Sequence, residues 1–210
     1  MNSSAEILST HGLNTLTFTD PYAKLCYMAH LAGQFDRVIY IDLDTTFTAY
    51  FNAGFVHTNR IDLYLPSEGR LGVMIKDVLG SMEDSSLVIL DSVNSFYNLF
   101  HVRERLSSLN HLLSVLIMLL VRRGVDISVP VLITSMLRYK KDGGWVHSPA
   151  SRRLLQRKSV VKLSVEWDEG GGRNRAGSSV SSNLALKILE HDSIKAGKVF
   201  LYNARDLISV

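Results

Sequence analysis

The stretch Leu87-Val88-Ile89-Leu90-Asp91-Ser92 decides the fold class of this chain. Its apolar run is too short for a helix and follows the turn-like residues 82–86, so it predicts a strand buried on both faces of a parallel sheet. The run ends abruptly in a carboxylate and a hydroxyl. Because ligands of open α/β sheets bind beyond the carboxyl ends of the strands, Asp91 marks the expected working edge of the molecule.

A second stretch, residues 38–44, has the same pattern. Its apolar run ends in Asp42 and Asp44, as the first run ends in Asp91. Two strands that end in carboxylates are typical of a nucleotide site, where one acid orients a magnesium ion and the other a water molecule. This interpretation requires a phosphate-binding loop elsewhere in the chain.

Length and composition indicate one domain. The chain has 210 residues, 46% of them hydrophobic, and no shift in composition divides it, so we expect a single domain over residues 1–210. The net charge is only +3, from 23 basic and 20 acidic residues, and does not by itself indicate a nucleic-acid partner. Such a partner must be argued from where the charges lie.

Three features of the sequence predict a soluble, cytoplasmic protein. The lone Cys26 excludes an intramolecular disulfide, which suits a reducing compartment. Residues 1–6 lack the basic and apolar regions of a signal peptide. The longest apolar stretch, 112–121, is much shorter than the roughly 20 residues that span a bilayer, so no membrane partner is expected.

Strands and helices alternate along the first two thirds of the chain. Asp20 and Pro21 are typical of a helix start, and this helix is predicted to end at Gly33. A long amphipathic helix is predicted from Arg103 to Arg123, ending at Gly124. The other predicted elements are strands at 14–18, 38–44, 61–65, 87–91 and 129–135, and helices at 45–54 and 71–79, the last ending before Gly80. This alternation predicts a doubly wound, mainly parallel α/β sheet flanked by helices.

The last third of the chain has a different pattern. Residues 159–167, 183–190 and 198–202 are strand-like with no helices between them, which predicts an antiparallel C-terminal extension of the sheet. Residues 168–182, rich in Gly and Ser and containing Arg173 and Arg175, are expected to form a flexible hairpin tip. Residues 1–12 precede the first strand as an N-terminal lead-in.

Several motifs occur in a recognisable order. Residues 37–47 read Arg-Val-Ile-Tyr-Ile-Asp-Leu-Asp-Thr-Thr-Phe, residues 87–92 form the acid-ended strand, and residues 131–136 precede Gly143-Gly144-Trp145 and Arg152-Arg153-Leu154. In this order they resemble the ATPase core of the RecA/RadA recombinase superfamily, near its archaeal RadA and KaiC-like branches. The resemblance implies a RecA-like fold over most of the chain. It places Asp44 at the catalytic glutamate, Asp91 at the Walker B acid and residues 138–158 at the second DNA-binding loop.

The resemblance fails at the phosphate loop. The family has G-x-x-x-x-G-K-[ST] after its first strand, and the glycines let successive backbone N–H groups close around the phosphates. Here residues 19–25 contain no glycine, Pro21 removes a backbone donor and Asp20 adds negative charge. Lys24 alone stands in a plausible place. We therefore expect an ATPase scaffold that has lost ATP and magnesium as cofactors.

The candidate catalytic residues are then remnants of such a site. They are Asp44, Asp91 and Lys24, and the alternative for the two acids is a purely structural role as hydrogen-bonded carboxylates at strand ends. The seven histidines show no ligand spacing, so no metal site is expected.

Basic residues cluster after the strand at 129–135. They are interleaved with aromatic residues and with Gly143-Gly144, a mixture typical of single-stranded nucleic-acid sites, where cations follow the phosphates and aromatic rings stack on bases. The residues expected to contact nucleic acid are Arg138, Lys140, Lys141, Trp145, Arg152, Arg153, Arg157 and Lys158. The alternative is a solvated charged loop with Trp145 packed beneath it.

Three functions are compatible with the sequence. The first is a non-catalytic RecA-like paralogue that binds single-stranded DNA, an active recombinase or both, and assists recombinational DNA repair. The second is a ring-forming subunit that binds tRNA, as in the RecA-like Elongator subunits. The third is a weak ATPase with an unconventional site. The resemblance implies partners of the RecA family or further copies of this chain, assembled as an oligomer.

Overall fold

A computed structural model describes residues 4–56, 58, 60–100, 106–147, 159–168 and 183–203. Within these residues, one mixed sheet runs through the molecule with helices on both faces. Its strands are β1 (Leu13–Phe18), β2 (Val38–Asp42), β3 (Ile61–Tyr64), β4 (Leu87–Asp91), β5 (Val131–Lys140), β6 (Gly144–His147), β7 (Ser159–Trp167), β8 (Asn183–Glu190) and β9 (Val199–Asn203). The helices are α1 (Pro21–Ala32), α2 (Thr46–Asn52), α3 (Leu71–Ser81) and α4 (Leu106–Asp126), with short 3-10 turns at Ser4–Ile7, Glu68–Arg70, Met82–Asp84 and Phe96–Leu99.

The sheet has the strand order β3-β2-β4-β5-β1-β7-β8-β9, and β6 pairs with β5 outside this path. The first six strands in this order, β3-β2-β4-β5-β1-β7, are parallel, while β8 and β9 are antiparallel to their neighbours. The prediction of a doubly wound, mainly parallel sheet with an antiparallel C-terminal extension is therefore confirmed. The carboxyl ends of β1, β2, β4, β5 and β7 consequently meet along one edge.

Two hydrophobic clusters fill the two sides of the sheet. On one side α1 and α2 cover side chains such as Leu16, Tyr40 and Leu132. On the other side α3 and α4 cover their neighbours on the strands, including Ile39, Leu90 and Ile133. Because side chains alternate along a strand, the even-numbered residues of β2 and β5 face α1, and the odd-numbered residues face α4.

Helix α1 begins as the sequence predicts. Asp20 is its N-cap, and Oδ1 of this residue accepts hydrogen bonds from the backbone N–H groups of Tyr22 at 2.8 Å and Ala23 at 2.9 Å. Pro21 occupies the first helical position, where no N–H is needed. Gly33 caps the other end, with its N–H bonded to backbone carbonyls of the last turn. The cap fixes where α1 starts relative to the sheet edge.

The predicted end of α4 at Gly124 is wrong, because the helix continues to Asp126. Gly124 is buried, and a Cβ at this position would lie 2.6 Å from both the carbonyl oxygen of Val129 and a methyl group of Val131. The glycine therefore lets α4 approach the chain entering β5, and it does not act as a stop signal. The predicted end of α3 before Gly80 is also wrong, since α3 runs through this residue to Ser81. The predicted start of α4 at Arg103 lies outside the described residues.

Residues 138–147 also differ from the predicted loop. Strand β5 continues to Lys140, turns at residues 141–143, and pairs antiparallel with β6, so this segment forms a β-hairpin that extends beyond the sheet edge. Because no helix among the described residues covers either of its faces, its side chains show none of the apolar alternation that reveals a strand in the sequence.

Helix α4 is the one described helix whose length and composition would allow it to cross a membrane. Its buried residues, which include Leu113, Leu116 and Leu120, pack against the sheet. A core helix passes the same test, and this packing accounts for its apolar composition. Of the predicted hairpin tip 168–182, only Asp168 lies within the described residues. The N-terminal lead-in contains the 3-10 turn Ser4–Ile7, and His191 Nε2 lies 3.0 Å from the Ile7 carbonyl oxygen.

We predict opposite effects for two glycine substitutions in helices. Gly124→Ala should lower the free energy of unfolding by about 1–3 kcal/mol, because the added methyl group meets backbone that cannot move away. Gly80→Ala is the matched control, since nothing lies within 4 Å of its added Cβ. It should raise the free energy of unfolding by up to about 1 kcal/mol through helix propensity. Urea denaturation measures both, and equal effects would contradict the close-approach role of Gly124.

Candidate functional site

The candidate site is built around Asp91, the last residue of β4. This carboxylate is fully buried, and both of its oxygens accept hydrogen bonds. Oδ2 accepts from Lys24 Nζ at 2.6 Å and from the Tyr40 hydroxyl at 2.6 Å, and Oδ1 accepts from the Thr134 hydroxyl. The partners come from α1, β2 and β5, so Asp91 joins the two strands beside β4 to the helix above them.

Lys24 is the buried cation of the site. Its Nζ lies 2.6 Å from Asp91 and 3.2 Å from Asp44 Oδ2, and 5.4 Å from the centroid of the Phe18 ring. Burial lowers the pKa of the Lys24 ammonium, but the carboxylates of Asp91 and Asp44 together raise that pKa by more. The ammonium therefore stays charged at neutral pH and compensates the buried carboxylate.

Two further acids connect the end of β2 to α2. Asp44 Oδ1 accepts from the N–H of Thr46 at 3.0 Å, and Asp42 Oδ2 accepts from the N–H of Thr48 at 2.8 Å. Burial raises the pKa of Asp44, but the ammonium of Lys24 and the hydrogen bonds from Thr46 together lower that pKa by more, so the net direction is downward. Burial raises the pKa of Asp42 to about 6, and its Oδ1 is buried without a hydrogen-bond partner among the described residues. Near pH 6, Asp42 at the end of β2 is therefore partly protonated, whereas Asp44, two residues beyond the strand, is ionised.

The fold resemblance implies magnesium and ATP at this edge, so the fit of the side chains to these groups can be tested. Carboxylate oxygens of Asp42, Asp44 and Asp91 lie within 4.8 Å of one another, a spacing that suits a divalent cation. However, the Lys24 ammonium already bridges Asp44 and Asp91, and Tyr40 occupies the same oxygen of Asp91. The positive charge that a metal would supply comes from the lysine, and the residues do not fit a magnesium ion.

The turn between β1 and α1 does not fit a phosphate either. Only Thr19 and Asp20 connect Phe18, which ends β1, to Pro21, which begins α1. The N–H groups of the first turn of a helix bind anions in phosphate loops, but here the Asp20 carboxylate takes two of them. The chain supplies its own anion where a phosphate would lie.

The hairpin of β5 and β6 carries a second group of candidate residues. Tyr139 lies directly opposite Trp145, with ring centroids 5.6 Å apart in an edge-to-face arrangement. Tyr139 is 65% exposed and Trp145 54% exposed, so the alternative in which Trp145 is packed beneath a loop is wrong. By the two-residue period of a strand, Arg138 and Lys140 lie on the opposite face of the hairpin. Lys141 lies in the turn.

The cations of the hairpin lie close together and are not held in ion pairs, unlike several cations elsewhere in the protein. Elsewhere Arg37 pairs with Asp62 and Asp84, Arg123 pairs with Glu83, and Lys162 pairs with Glu190. Within the part of the chain that the structure describes, Arg138, Lys140 and Lys141 form no ion pair. Asp142 is the one acid of the turn and is not bonded to them. Other described cations, such as Lys76 and Lys195, also form no ion pair, but on the hairpin three such cations lie within four residues, so positive charge is locally dense there although the net charge is small.

The structure brings the sequence-predicted residues together in two groups. Lys24, Asp44 and Asp91 form one ion cluster, and Arg138, Lys140, Lys141 and Trp145 lie on the hairpin. The other predicted contacts lie outside the described residues: Arg152, Arg153, Arg157 and Lys158. Sequence reasoning missed Tyr40 and Thr134, and it noted Asp42 at a strand end without making it a candidate residue. The available signal for Tyr40 and Asp42 was parity, since residues 40 and 42 alternate with apolar neighbours and so share one face of β2.

We predict that the ion cluster is essential to stability. Lys24→Met should lower the free energy of unfolding by about 3–5 kcal/mol, because it leaves Asp91 buried without a compensating charge. The matched control is Lys76→Met on the exposed surface of α3, and this substitution should change the free energy of unfolding by less than about 0.5 kcal/mol. Adding Asp91→Asn to Lys24→Met should recover part of the loss. Urea denaturation of wild type, Lys76→Met, Lys24→Met, Asp91→Asn and the double variant tests this, and losses of the two single variants that add in the double variant would contradict the coupling.

A second prediction concerns pH. The pKa of Asp42 rises from 3.8 to about 6 on folding, so the folded state binds more protons between these values. The free energy of unfolding should therefore fall as the pH rises from about 4 to about 6, by at most roughly 3 kcal/mol from this group. Asp42→Asn should remove this part of the pH dependence. The readout is the free energy of unfolding at pH 4 minus that at pH 7, measured for wild type and for Asp42→Asn. The same value in both proteins would contradict the role of Asp42.

Comparisons with known proteins agree with the fold. No protein-family model matches the chain, and no curated protein matches it in sequence. Among solved structures, it is similar to a crystal structure of the RadB recombinase, with a TM-score of 0.60 and 15% identity over 96% of this chain and 93% of that chain. A likeness at this identity shows the fold. The chain therefore has a RecA-like α/β fold, as the order of its motifs predicted.

Proposed function

We propose that this chain is a non-catalytic RecA-like paralogue that binds single-stranded DNA and assists recombinational DNA repair. The observation that carries the proposal is the exposed Tyr139–Trp145 pair on a hairpin whose cations form no ion pair among the described residues. Aromatic faces stack on bases of any sequence, and cations follow the phosphates. The two chemistries are combined here at one edge of a rigid sheet.

The arrangement of the hairpin suits a single strand that crosses its tip. The aromatic pair lies on the face directed to the α4 side, Arg138 and Lys140 lie on the face directed to the α1 side, and Lys141 lies between them in the turn. A strand that stacks a base on Trp145 and passes over the turn places its next phosphates near the three cations. Arg152, Arg153, Arg157 and Lys158 follow β6 in the sequence, and we include them in the proposed interface.

Binding is proposed to be independent of ATP. The Asp20 carboxylate takes the helix N–H donors that would hold phosphate, and Lys24 is held by Asp44 and Asp91. Both contacts support a scaffold from which the phosphate loop of the superfamily has been lost. In this proposal the three remnant residues stabilise the sheet edge from which the hairpin extends.

The likeness to a RadB recombinase favours DNA over RNA as the nucleic acid, and a RecA-family protein or another copy of this chain as the protein partner. A tRNA-binding subunit of a ring would use the same hairpin chemistry. Competition between single-stranded DNA and tRNA for the purified protein separates the two. Tighter binding of tRNA, together with a hexameric mass in solution, would replace the repair function by the ring-subunit function.

Titration calorimetry with Mg-ATP tests the absence of a nucleotide site. We expect no measurable heat and no shift in melting temperature, because Asp20 and the ion cluster already occupy the groups that would hold phosphate. A ligand that did bind would add about 2.7 kcal/mol of stability at a hundred times its dissociation constant. A dissociation constant below about 100 μM, equivalent to roughly 5.5 kcal/mol, would favour the weak-ATPase alternative.

The salt dependence of DNA binding tests the hairpin cations. The double variant Lys140→Ala with Lys141→Ala should weaken binding to all single-stranded sequences alike. It should also flatten the plot of log affinity against log salt by about 0.7 for each lost phosphate contact. The control is Lys76→Ala with Lys195→Ala, which removes two exposed lysines from other surfaces and so has the same net charge as the hairpin double variant. Equal losses in the two double variants would mean that only the net charge matters.

Stacking on the aromatic pair has a different signature. Trp145→Ala should reduce the binding free energy by about 1–3 kcal/mol while the salt slope stays nearly constant, since stacking involves little charge. The melting temperature should not change, because the side chain is exposed. A lower melting temperature with unchanged binding would assign Trp145 to folding and remove the aromatic part of the interface.

A further inference from the structure

A second aromatic pair lies at the same edge of the sheet as the hairpin. Tyr22 is the second residue of α1, and Trp167 is the last residue of β7. Their ring centroids lie 5.9 Å apart, with an angle of 31° between the ring planes. Tyr22 is 45% exposed, while Trp167 is partly buried and packs on the cluster beneath α1. Neither ring belongs to the ion cluster of Lys24, Asp44 and Asp91.

The register of the sheet places this pair level with the hairpin cations. Met136 of β5 pairs with Phe18 of β1, and Phe18 pairs with Val165 of β7. Arg138 and Trp167 each lie two residues farther along their strands, so they share one row and one face of the sheet. Two strand spacings, about 10 Å, separate them.

The face is the one that α1 covers. Met136, Phe18 and Val165 all pack in the cluster on the α1 side, and the two-residue period assigns Arg138 and Trp167 to the same side. Asp20 follows β1, the strand between β5 and β7, and its carboxylate is engaged by two N–H groups at the positive end of α1, which offsets its charge. A nucleic acid strand can therefore pass from Arg138 toward Tyr22 with its phosphates on the Arg138 side.

We propose that Tyr22 and Trp167 form a second stacking site for the bases of single-stranded nucleic acid. This inference rests on the proposed function and extends it. A strand stacks one base on the Tyr139–Trp145 pair, crosses the turn at Lys141, passes Lys140 and Arg138, and stacks a later base on the Tyr22–Trp167 pair. The ligand group at both sites is a nucleobase, and the backbone between them meets the hairpin cations.

The two tryptophans of the chain, Trp145 and Trp167, allow each site to be observed by itself. Trp145→Phe leaves Trp167 as the reporter, and Trp167→Phe leaves Trp145. A base that stacks on an indole quenches its fluorescence, so titration with a single-stranded oligonucleotide of about 12 nucleotides should quench both variants at the same concentration. Trp167 should respond less to a very short oligonucleotide that reaches only the hairpin.

The outcomes separate this inference from the proposed function. Quenching of Trp145 without any change at Trp167 overturns the second site and leaves the hairpin function standing. No binding by either variant or by the wild-type protein overturns both. Quenching of Trp167 by a mononucleotide such as AMP, at concentrations where the oligonucleotide has no effect, also overturns the inference, because the pair would then bind a free nucleobase and not a strand.

Substitutions at Tyr22 test the contribution of the second site to affinity. Tyr22→Ala should weaken binding of the long oligonucleotide roughly 5- to 150-fold, which corresponds to the loss of one stacked base, and should leave the short one unaffected. Tyr22→Phe keeps the ring and should keep the affinity. Phe55→Ala, at a ring that is 44% exposed and does not contact Trp167, is the matched control and should bind as wild type does. Equal affinity of Tyr22→Ala and wild type for both lengths, with both proteins folded, overturns the inference.

Discussion

The buried contact between Lys24 and Asp91 is the interaction on which the rest of the site depends. Burying an ion costs several kcal/mol, and this cost is recovered only when an opposite charge and further hydrogen bonds have good geometry. Asp91 meets that condition through Lys24 from α1, Tyr40 from β2 and Thr134 from β5. Four elements must therefore take fixed positions at the carboxyl edge of the sheet. The same requirement holds α1 over β1 and β5, which is where the hairpin begins.

The ion cluster also decides what the edge can bind. In a phosphate loop a lysine and helix N–H groups are directed outward to the ligand, whereas here Lys24 is directed to Asp44 and Asp91 and the N–H groups to Asp20. Each of these contacts would have to break before a nucleotide could bind, and each is charge-assisted. The chain thus uses inside the fold the charges that a phosphate loop would offer to its ligand. The charges of the hairpin, which form no ion pair in the described part of the chain, remain available to a partner.

The sequence predicted elements whose signals are local. The limits of β4 follow from an apolar run that ends in Asp91, and the start of α1 follows from Asp20 and Pro21. Gly124 was misread because a glycine near a helix end is typical of a stop, and its close approach to Val129 depends on a contact that no local pattern records. Within the site, strand ends indicated Asp44 and Asp91. Lys24 was found only through the resemblance, and the partners Tyr40 and Thr134 depend on the strand order.

The hairpin shows why charge position carries more functional information here than net charge. The protein has an excess of only three basic residues, and Arg37, Arg123 and Lys162 are each paired with an acid, whereas the three cations of the hairpin are close together and form no ion pair in the described part of the chain. A paired cation contributes little to the field at a distance, while three unpaired cations within four residues produce a local potential that attracts phosphate. The aromatic pair on the opposite face adds contact energy that salt does not screen. A single-stranded nucleic acid bound by the cations and by the aromatic pair should lose part of its affinity as the salt concentration rises. The part of the affinity that stacking supplies should remain.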